Sequence, residues 1–256
     1  MPRRQGFCTI SKGAGLMQRQ RETFRCRKCL PGMAPFCGAL IRGKRRVGSA
    51  DRDAVRQRAY HTHAGALVFR WNEAADHVFA VCEGWALRFI ELADGRRQNL
   101  SVLLPGDLCP TALFQEKFHY SVEAVTDVCI TRFGRDDVRR QMLHDPKLRE
   151  TVAKACAADQ RDVEERVVSL GRRTAEEHVC HLLLGLANRL SGHRVRADHS
   201  YAFPLLQRHI ADLTGLTFVH VSRVLTELRN ARVVDVSYGS MTIMSVAELK
   251  EIAQLR

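Results

Sequence analysis

Short apolar runs separated by turn residues fill the chain between about Tyr60 and Phe133. The runs are Ala66–Arg70, Val78–Cys82, Ala86–Leu92, Gln98–Leu104, His119–Val125 and Val128–Phe133. Runs of about five residues at this spacing predict β-strands that form a small barrel or roll. The strongest hairpin signal is Asp94-Gly95, between the third run and the fourth.

From Arg135 to Leu170 the chain is polar and has helical periodicity. Asp145 and Pro146 suit the cap and first turn of the longer part. A narrow stripe recurs at steps of three and four residues: Leu148, Val152, Ala155, Asp159, Val163, Val167 and Leu170. Such a stripe needs a partner, either a second copy of the helix or the rest of its own domain. Asp159 weakens self-association if it faces inward.

A second helix is predicted from Thr174 to about Leu190, with Thr174 and Glu177 at capping-box spacing. After a Gly-, Arg- and His-rich break (Ser191–Ser200), residues Gln207–Thr226 match a helix-turn-helix. Its pattern consists of the small Ala211, the turn residue Gly215, and the apolar Ile210, Leu216, Val221 and Val224. A hairpin (Val233–Ser237 and Met241–Met244) and a helix capped by Ser245 and Glu248 complete a winged helix.

The outer face of the second helix of the helix-turn-helix is expected to enter the major groove of DNA. It carries the candidate DNA-binding residues Thr217, Val219, His220, Ser222, Arg223 and Thr226, together with Phe218. Arg223 suits a bidentate contact with guanine O6 and N7, while Ser222 and Thr217 suit phosphates or base edges. The alternative is an ordinary antiparallel helix pair. The hairpin that follows favours DNA binding.

The formal charge of +12 is concentrated in the first fifty residues. Residues 1–50 hold twelve Lys or Arg and one acid, Glu22, so the other 206 hold 40 − 12 = 28 basic and 28 − 1 = 27 acidic side chains. The charge therefore reports a basic arm and does not locate a nucleic-acid surface. No apolar run has the length of a membrane span or signal peptide, so we expect a cytoplasmic protein without a membrane segment.

Three of the nine cysteines cluster in this arm. Cys26-Arg27-Lys28-Cys29 is followed, after seven residues, by Cys37. A cytoplasmic protein keeps its thiols reduced, and clustered thiols there ligate metal or carry out redox chemistry. A thiol redox enzyme using Cys26 and Cys29 is one interpretation, but its C-x-x-C should begin a helix in a βαβ unit, not lie in an irregular arm.

The order of roll, long helix and winged helix resembles the Crp/Fnr superfamily of bacterial transcription regulators. The resemblance rests on Asp94–Gln98, Leu104–Asp107, Glu123–Asp127, Leu170–Glu177 and Ile210–Leu225, and covers about residues 60–253. It implies an α+β protein with a cyclic-nucleotide-binding-like β-roll, a long dimerisation helix and a winged helix-turn-helix. The implied divisions are a basic cysteine arm (1–50), the roll sensor (51–140), the dimerisation helix (141–170) and the DNA-binding domain (171–256).

The resemblance also implies a non-enzymatic homodimer that binds double-stranded DNA with a two-fold symmetric operator. RNA polymerase is a further candidate partner. Members that bind cyclic nucleotides carry Gly-Glu and then Arg-Ser/Thr-Ala, where the Arg holds the phosphate. Here Gly106-Asp107 is followed by His119–Ala124, which contains no Arg, so cyclic AMP is not expected.

The arm cysteines are similar to those of the oxygen-sensing Fnr branch, especially its FnrN-like members. That similarity implies a [4Fe–4S] cluster held by Cys26, Cys29, Cys37 and one roll cysteine, and thiolates suit such a cluster. Cys129 matches the fourth ligand to within one residue, with Cys109 and Cys82 in reserve. In that branch cluster assembly favours the dimer and oxygen dismantles the cluster, so we expect regulation by oxygen or redox state.

Two other sensors remain open. One is a zinc site or a reversible thiol switch, because C-x-x-C is also typical of zinc sites. The other is a gas-sensing haem, since Cys109-Pro110 resembles a haem-binding dipeptide. The second axial ligand would then come from a histidine, for which the candidates are His61, His63, His77 and His119.

Val219 departs from the family pattern in the recognition helix. Many members carry Glu at this position, where it accepts a hydrogen bond from cytosine N4. Val219 accepts none and is at best able to contact a thymine methyl group. The branch's usual TTGA-type half-site is therefore in doubt, although Ser222 and Arg223 match.

Overall fold

The computed structural model describes residues 36, 58–191, 200–237 and 239–254. Its strands are β1 (Arg58–Thr62), β2 (Leu67–Phe69), β3 (His77–Glu83), β4 (Ala86–Glu91), β5 (Arg97–Leu103), β6 (Leu108–Cys109), β7 (Ser121–Ala124), β8 (Val128–Gly134), β9 (Ser200–Ala202), β10 (Val234–Ser237) and β11 (Ser240–Ile243). Its α-helices are α1 (Arg135–His144), α2 (Pro146–Arg172), α3 (Ala175–Ser191), α4 (Gln207–Thr214), α5 (Phe218–Asn230) and α6 (Val246–Ile252). Within the described ranges, no helix is long and apolar enough to cross a membrane.

The first eight strands form the roll that the apolar runs predict. They make two antiparallel four-stranded sheets, with orders β1-β8-β3-β6 and β2-β7-β4-β5. Aromatic rings fill the space between them, and Phe69 stacks on Phe118 with 4.0 Å between ring centroids. The predicted hairpin at Gly95 joins β4 to β5, and Gly95 adopts a positive φ of 84°. Strands β1 and β6 were not predicted.

The helical segment after the roll consists of two helices, and the longer one begins where the sequence indicates, with Asp145 as its cap and Pro146 in its first turn. Helix α1 ends at His144, and the long helix α2 runs from Pro146 to Arg172. The Asp145 side chain caps α2 as predicted, because its Oδ1 accepts hydrogen bonds from the backbone N–H groups of Lys147 (2.9 Å) and Leu148 (3.2 Å).

The predicted stripe on α2 divides into two parts with different surroundings. Leu148 and Val152 are buried against the roll of the same chain, whereas Val163 and Val167 are 50% and 64% exposed. Asp159 pairs with the roll of its own chain, because it accepts two hydrogen bonds from Arg88 of β4 at 2.7 and 2.6 Å. Both partners considered for the stripe are therefore compatible with it, the roll for the first half and another copy for the second.

The C-terminal part is a winged helix. Strands β10 and β11 form the predicted wing, and β9, which the sequence did not indicate, pairs with β11. The predicted capping box is present at α3, where Thr174 N donates to Glu177 Oε2 and Glu177 N donates to Thr174 Oγ1. Ser245 caps α6 by accepting a hydrogen bond from Glu248 N, also as predicted.

The roll and the winged helix share one hydrophobic core. Four residues of β4, β5 and their flanks, Trp85, Leu87, Val102 and Leu104, pack with residues of α3, α4 and α5. Polar contacts border this core. Gln98 Nε2 donates to Asp212 O at 2.6 Å, and Arg189 Nη1 donates to Val102 O at 2.9 Å.

Candidate DNA-binding surface

The turn between α4 and α5 is built as the sequence predicts. Gly215 ends α4 in the left-handed region with φ 67°, a conformation that costs a residue with a side chain about 1–2 kcal/mol. Thr217 caps α5, since its hydroxyl accepts from the backbone N–H of His220 at 3.3 Å. The predicted apolar positions Ile210 and Val221 are fully buried, which fixes α5 against α4.

The outward face of α5 carries all six predicted DNA-binding residues. Thr217, Val219, His220, Arg223 and Thr226 are exposed, and Ser222 is half-buried. A shallow depression on this face is lined by Phe218, Val219, Ser222, Arg223, Thr226 and Glu227. Thr226 Oγ1 donates to the Ser222 carbonyl at 2.8 Å, so the Thr226 hydroxyl retains acceptor capacity toward an incoming group.

Arg223 has a neighbour that was absent from the predicted site. Glu227, one turn further along α5, places a carboxylate oxygen 3.8 Å from Arg223 Nε. The i, i+4 spacing is visible in the sequence and was the signal that could have found it. This loose, exposed pair restrains the guanidinium on the outer face and leaves its other nitrogens open to a base edge.

His209 in α4 is a second residue that the sequence did not single out. Its Nδ1 accepts a hydrogen bond from Leu206 N at 3.1 Å, and its carbonyl accepts one from Asn99 of β5 at 3.4 Å. Burial, and then the positive charges of Arg208 and Arg97, lower the pKa of this imidazole to about 4. A neutral His209 thus lies where the helix-turn-helix meets the roll.

The roll interior is occupied by polar side chains of the chain itself. Thr111 and Tyr120 share a hydrogen bond of 2.7 Å between their hydroxyls, and the Arg88 guanidinium lies 5.0 Å from the Tyr120 ring centroid. Burial opposes the Arg88 charge, but the ion pair with Asp159 outweighs it and the Arg88 pKa is raised. The Arg88 guanidinium is therefore already paired with the Asp159 carboxylate of the long helix α2.

The roll cysteines differ in their surroundings, while Cys26, Cys29 and Cys37 lie outside the described residues. Cys129 is half-buried on β8, opposite His61 of β1. Cys82 Sγ lies 3.1 Å from Thr131 Oγ1. Cys109 is buried in the roll core, and burial raises the pKa of its thiol to about 12. The described ranges contain no group of three or more His, Cys, Asp or Glu arranged to hold a metal ion.

Phe36, which lies far before β1 in the chain, packs on the roll. Its side chain is buried in the roll core, and its ring packs edge-on against Phe133 of β8, with 5.4 Å between centroids. Alternate residues of a strand point to the same face, so Phe133, Thr131 and Cys129 share one face of the sheet. Phe36 is the residue before Cys37, and it packs on the strand that carries Cys129.

A β-roll joined by a long helix to a winged helix, with Arg223 and other polar side chains exposed on α5, defines a DNA-binding regulator. Family comparisons agree: residues 61–145 match the cyclic nucleotide-binding domain, and residues 177–252 match the Crp-like helix-turn-helix domain. The chain belongs to the Crp/Fnr family of DNA-binding transcription regulators. The relatives that it matches are transcription regulators and not enzymes.

Two relatives and one solved structure are similar to this chain over most of their own length. The transcriptional activatory protein AadR of Rhodopseudomonas palustris is 30% identical over 83% of this chain and 87% of its own. The nitrogen fixation regulation protein FixK of Bradyrhizobium diazoefficiens is 28% identical over 85% of this chain and 94% of its own. The structure of FixK2 from Bradyrhizobium japonicum has a TM-score of 0.71 at 25% identity, covering 77% of this chain and 97% of that one.

Proposed function

We propose that this protein is a cytoplasmic, homodimeric transcription regulator that responds to oxygen or redox state through an iron–sulfur cluster. Thr217, Val219, His220, Ser222, Arg223 and Thr226 contact double-stranded DNA. A dimer with two-fold symmetry presents two copies of α5, which suit successive major grooves about one helical turn, or ~34 Å, apart. The exposed apolar residues Val163 and Val167 of α2 supply the surface on which the two copies meet.

The observation that carries the sensor proposal is the packing of Phe36 on β8. This contact supports a shared site for Cys37, which follows Phe36, and Cys129, which lies four residues before Phe133 on β8. Strand β1, by which the chain enters the roll, pairs with the same strand and sets His61 opposite Cys129. Phe36 and β1 thus both contact the strand that carries the proposed roll ligand.

The chemistry of the roll thiols supports Cys129 as the roll ligand. A metal-bound cysteine is a thiolate, and the buried Cys109, with its pKa raised to about 12, resists losing its proton. The same burial argues against Cys109 as a haem ligand. Cys82 lies on the face of the sheet that carries Thr131 and Cys129, so it is the alternative roll ligand. Bound to Cys26, Cys29, Cys37 and Cys129, a [4Fe–4S] cluster would supply a group that oxygen dismantles.

The test is iron, acid-labile sulfide and visible absorption of full-length protein purified without oxygen and then exposed to air. We expect broad visible absorption that fades in air together with iron and sulfide. Cys37→Ala and Cys129→Ala should lose most of the iron and sulfide. Cys82→Ala and the matched control Cys180→Ala, at a buried helical thiol, should retain them, and circular dichroism should show that all variants are folded.

Other results overturn parts of the proposal. Loss of iron in Cys82→Ala but not in Cys129→Ala would move the roll ligand to Cys82. A sharp Soret band would identify haem. A colourless protein that contains zinc, or no metal, would leave a zinc site or thiol switch in place of the cluster.

A further inference from the structure

The first turn of α5 exposes an apolar pair on an otherwise polar surface. Val219 is 72% exposed and Phe218 is 56% exposed, the two highest values among the large apolar side chains of the described winged helix. Both line the depression that also contains Ser222 and Arg223. Exposed apolar surface of this kind marks a contact site, because its burial against apolar groups is favourable.

Packing among the described residues does not use this pair. The buried side of α5 is formed by Val221, Val224, Leu225 and Leu228, which pack in the core shared with α3 and α4. Because the Thr217 cap begins the helix at Phe218, the pair lies in the first turn. The N-terminal residues of a recognition helix are those that reach base edges in the major groove.

Base edges in the major groove offer one apolar group, the C5 methyl of thymine. A valine offers no hydrogen-bond partner to a polar base edge. If it covers the amino group of cytosine or adenine, or the O6 and N7 acceptors of guanine, those polar atoms are buried without a partner, which is costly. Val219 and Arg223 are one helical turn apart, so they reach neighbouring base pairs of one half-site. Arg223 suits guanine and Val219 suits thymine.

We propose that Val219 selects a thymine in each operator half-site by packing against its C5 methyl group, close to the guanine that Arg223 contacts. Phe218 extends the apolar surface beside it. The proposal rests on the proposed entry of α5 into the major groove, and it replaces an acceptor-based contact with cytosine by an apolar contact with thymine. The operator therefore differs from the half-site of members that carry Glu here.

The experiment begins by selecting half-sites from a pool of random duplexes with the full-length protein purified without oxygen. In the selected operator each thymine is then replaced, one position at a time, by uracil, which pairs identically but lacks the methyl group. Fluorescence anisotropy at fixed salt gives each Kd. At one thymine position we expect a loss of about fourfold in one half-site and about fifteenfold in both, the size expected for one buried methyl per half-site.

Variants assign the effect to Val219. Val219→Ala should bind the thymine and uracil operators almost equally, because the shortened side chain no longer reaches the methyl group. Val219→Glu should change the preferred base at that position to cytosine, whose N4 donates to a carboxylate. Val246→Ala, at an exposed valine in the first turn of α6, is the matched control and should retain the full preference for thymine.

Each result has a definite meaning. Sequence-specific binding without a methyl-sensitive position overturns this inference and leaves the DNA-binding proposal intact. A methyl preference that persists in Val219→Ala also overturns the assignment. A pool that yields no selected sequence overturns the proposed operator recognition itself.

Discussion

At the scale of single residues, the ion pair between Arg88 and Asp159 joins β4 of the roll to the long helix. The Arg88 side chain is only 7% exposed, so it depends on this partner to offset its loss of hydration, whereas Asp159 is 37% exposed and is partly screened by water. Within the described residues, the Arg88 Nε is buried without a hydrogen-bond partner. The ion pair with Asp159 therefore provides most of the interaction that offsets the lost hydration of this guanidinium.

Asp159→Ala should lower the free energy of unfolding by about 1–3 kcal/mol, because it leaves a buried cation unpaired while the exposure of Asp159 limits the loss. Urea unfolding followed by circular dichroism measures the change. The matched control is Asp162→Ala, at an exposed acid on the same helix, which should change the value by no more than about 0.5 kcal/mol. Equal losses in the two variants would show that the Arg88 pair contributes nothing specific.

At the scale of elements, α2 combines two tasks along one helix. Its first half is covered by the roll through Leu148 and Val152, and its second half leaves valines exposed. In a monomer these valines would remain in water, since the described part of the chain does not cover them. In the proposed dimer, a second copy packed along the same stripe would remove that surface from water.

Val167→Glu should shift the protein from dimer to monomer, because it places a charge in the centre of the exposed stripe. We expect a rise of at least tenfold in the dimer dissociation constant, measured by sedimentation equilibrium of protein purified without oxygen. Ala158→Glu adds the same charge at an exposed position nine residues earlier, on the opposite side of the helix. The prediction fails if both variants dimerise equally well.

Local patterns explain which elements the sequence could predict. Six roll strands (β2, β3, β4, β5, β7 and β8), the Asp145 cap and the helix-turn-helix depend on neighbours within a few residues, and all were predicted. The strands that were missed lie outside apolar runs: β6 has only two residues, while β1 (Arg58–Thr62) and β9 (Ser200–Ala202) consist mainly of polar residues and tyrosine. The outward face of α5 was predicted because helical periodicity alone orients it.

Contacts between distant residues could not be predicted in the same way. Asp159 meets Arg88 across 71 positions, and Phe36 meets Phe133 only because the strands fold into a roll. In the sequence, Asp159 is only a charge in an apolar stripe. Its surroundings, and those of His209, are set by packing between domains.

At the scale of the whole molecule, the shared core makes the roll and the winged helix one mechanical unit. Leu87 and Leu104 of the roll lie in the same apolar cluster as the buried side of the helix-turn-helix. Gln98 binds a backbone carbonyl of α4 from the roll side. The position of the recognition helix α5 therefore depends on the β2-β7-β4-β5 sheet of the roll. The same sheet contacts α2 through Arg88, so the roll, α2 and the winged helix are physically connected.

The two tryptophans allow this coupling to be tested, because one lies in the shared core and the other outside it. Trp85 is 8% exposed and packs edge-on against Phe203 of the winged helix at 5.9 Å, whereas Trp71 is 60% exposed. In Trp71→Phe we expect blue-shifted emission from Trp85 that is poorly quenched by acrylamide. Its urea transition should coincide with that of the far-ultraviolet circular dichroism, as one cooperative unit requires.

Trp85→Phe is the matched control, because Trp71 alone should emit at longer wavelength and be readily quenched in the folded protein. If the Trp85 emission shifts to the red at a urea concentration below the circular dichroism transition, the domains separate before they unfold, and the shared core is not cooperative. Coincident transitions mean that the roll and the winged helix unfold as one cooperative unit, as their shared core requires.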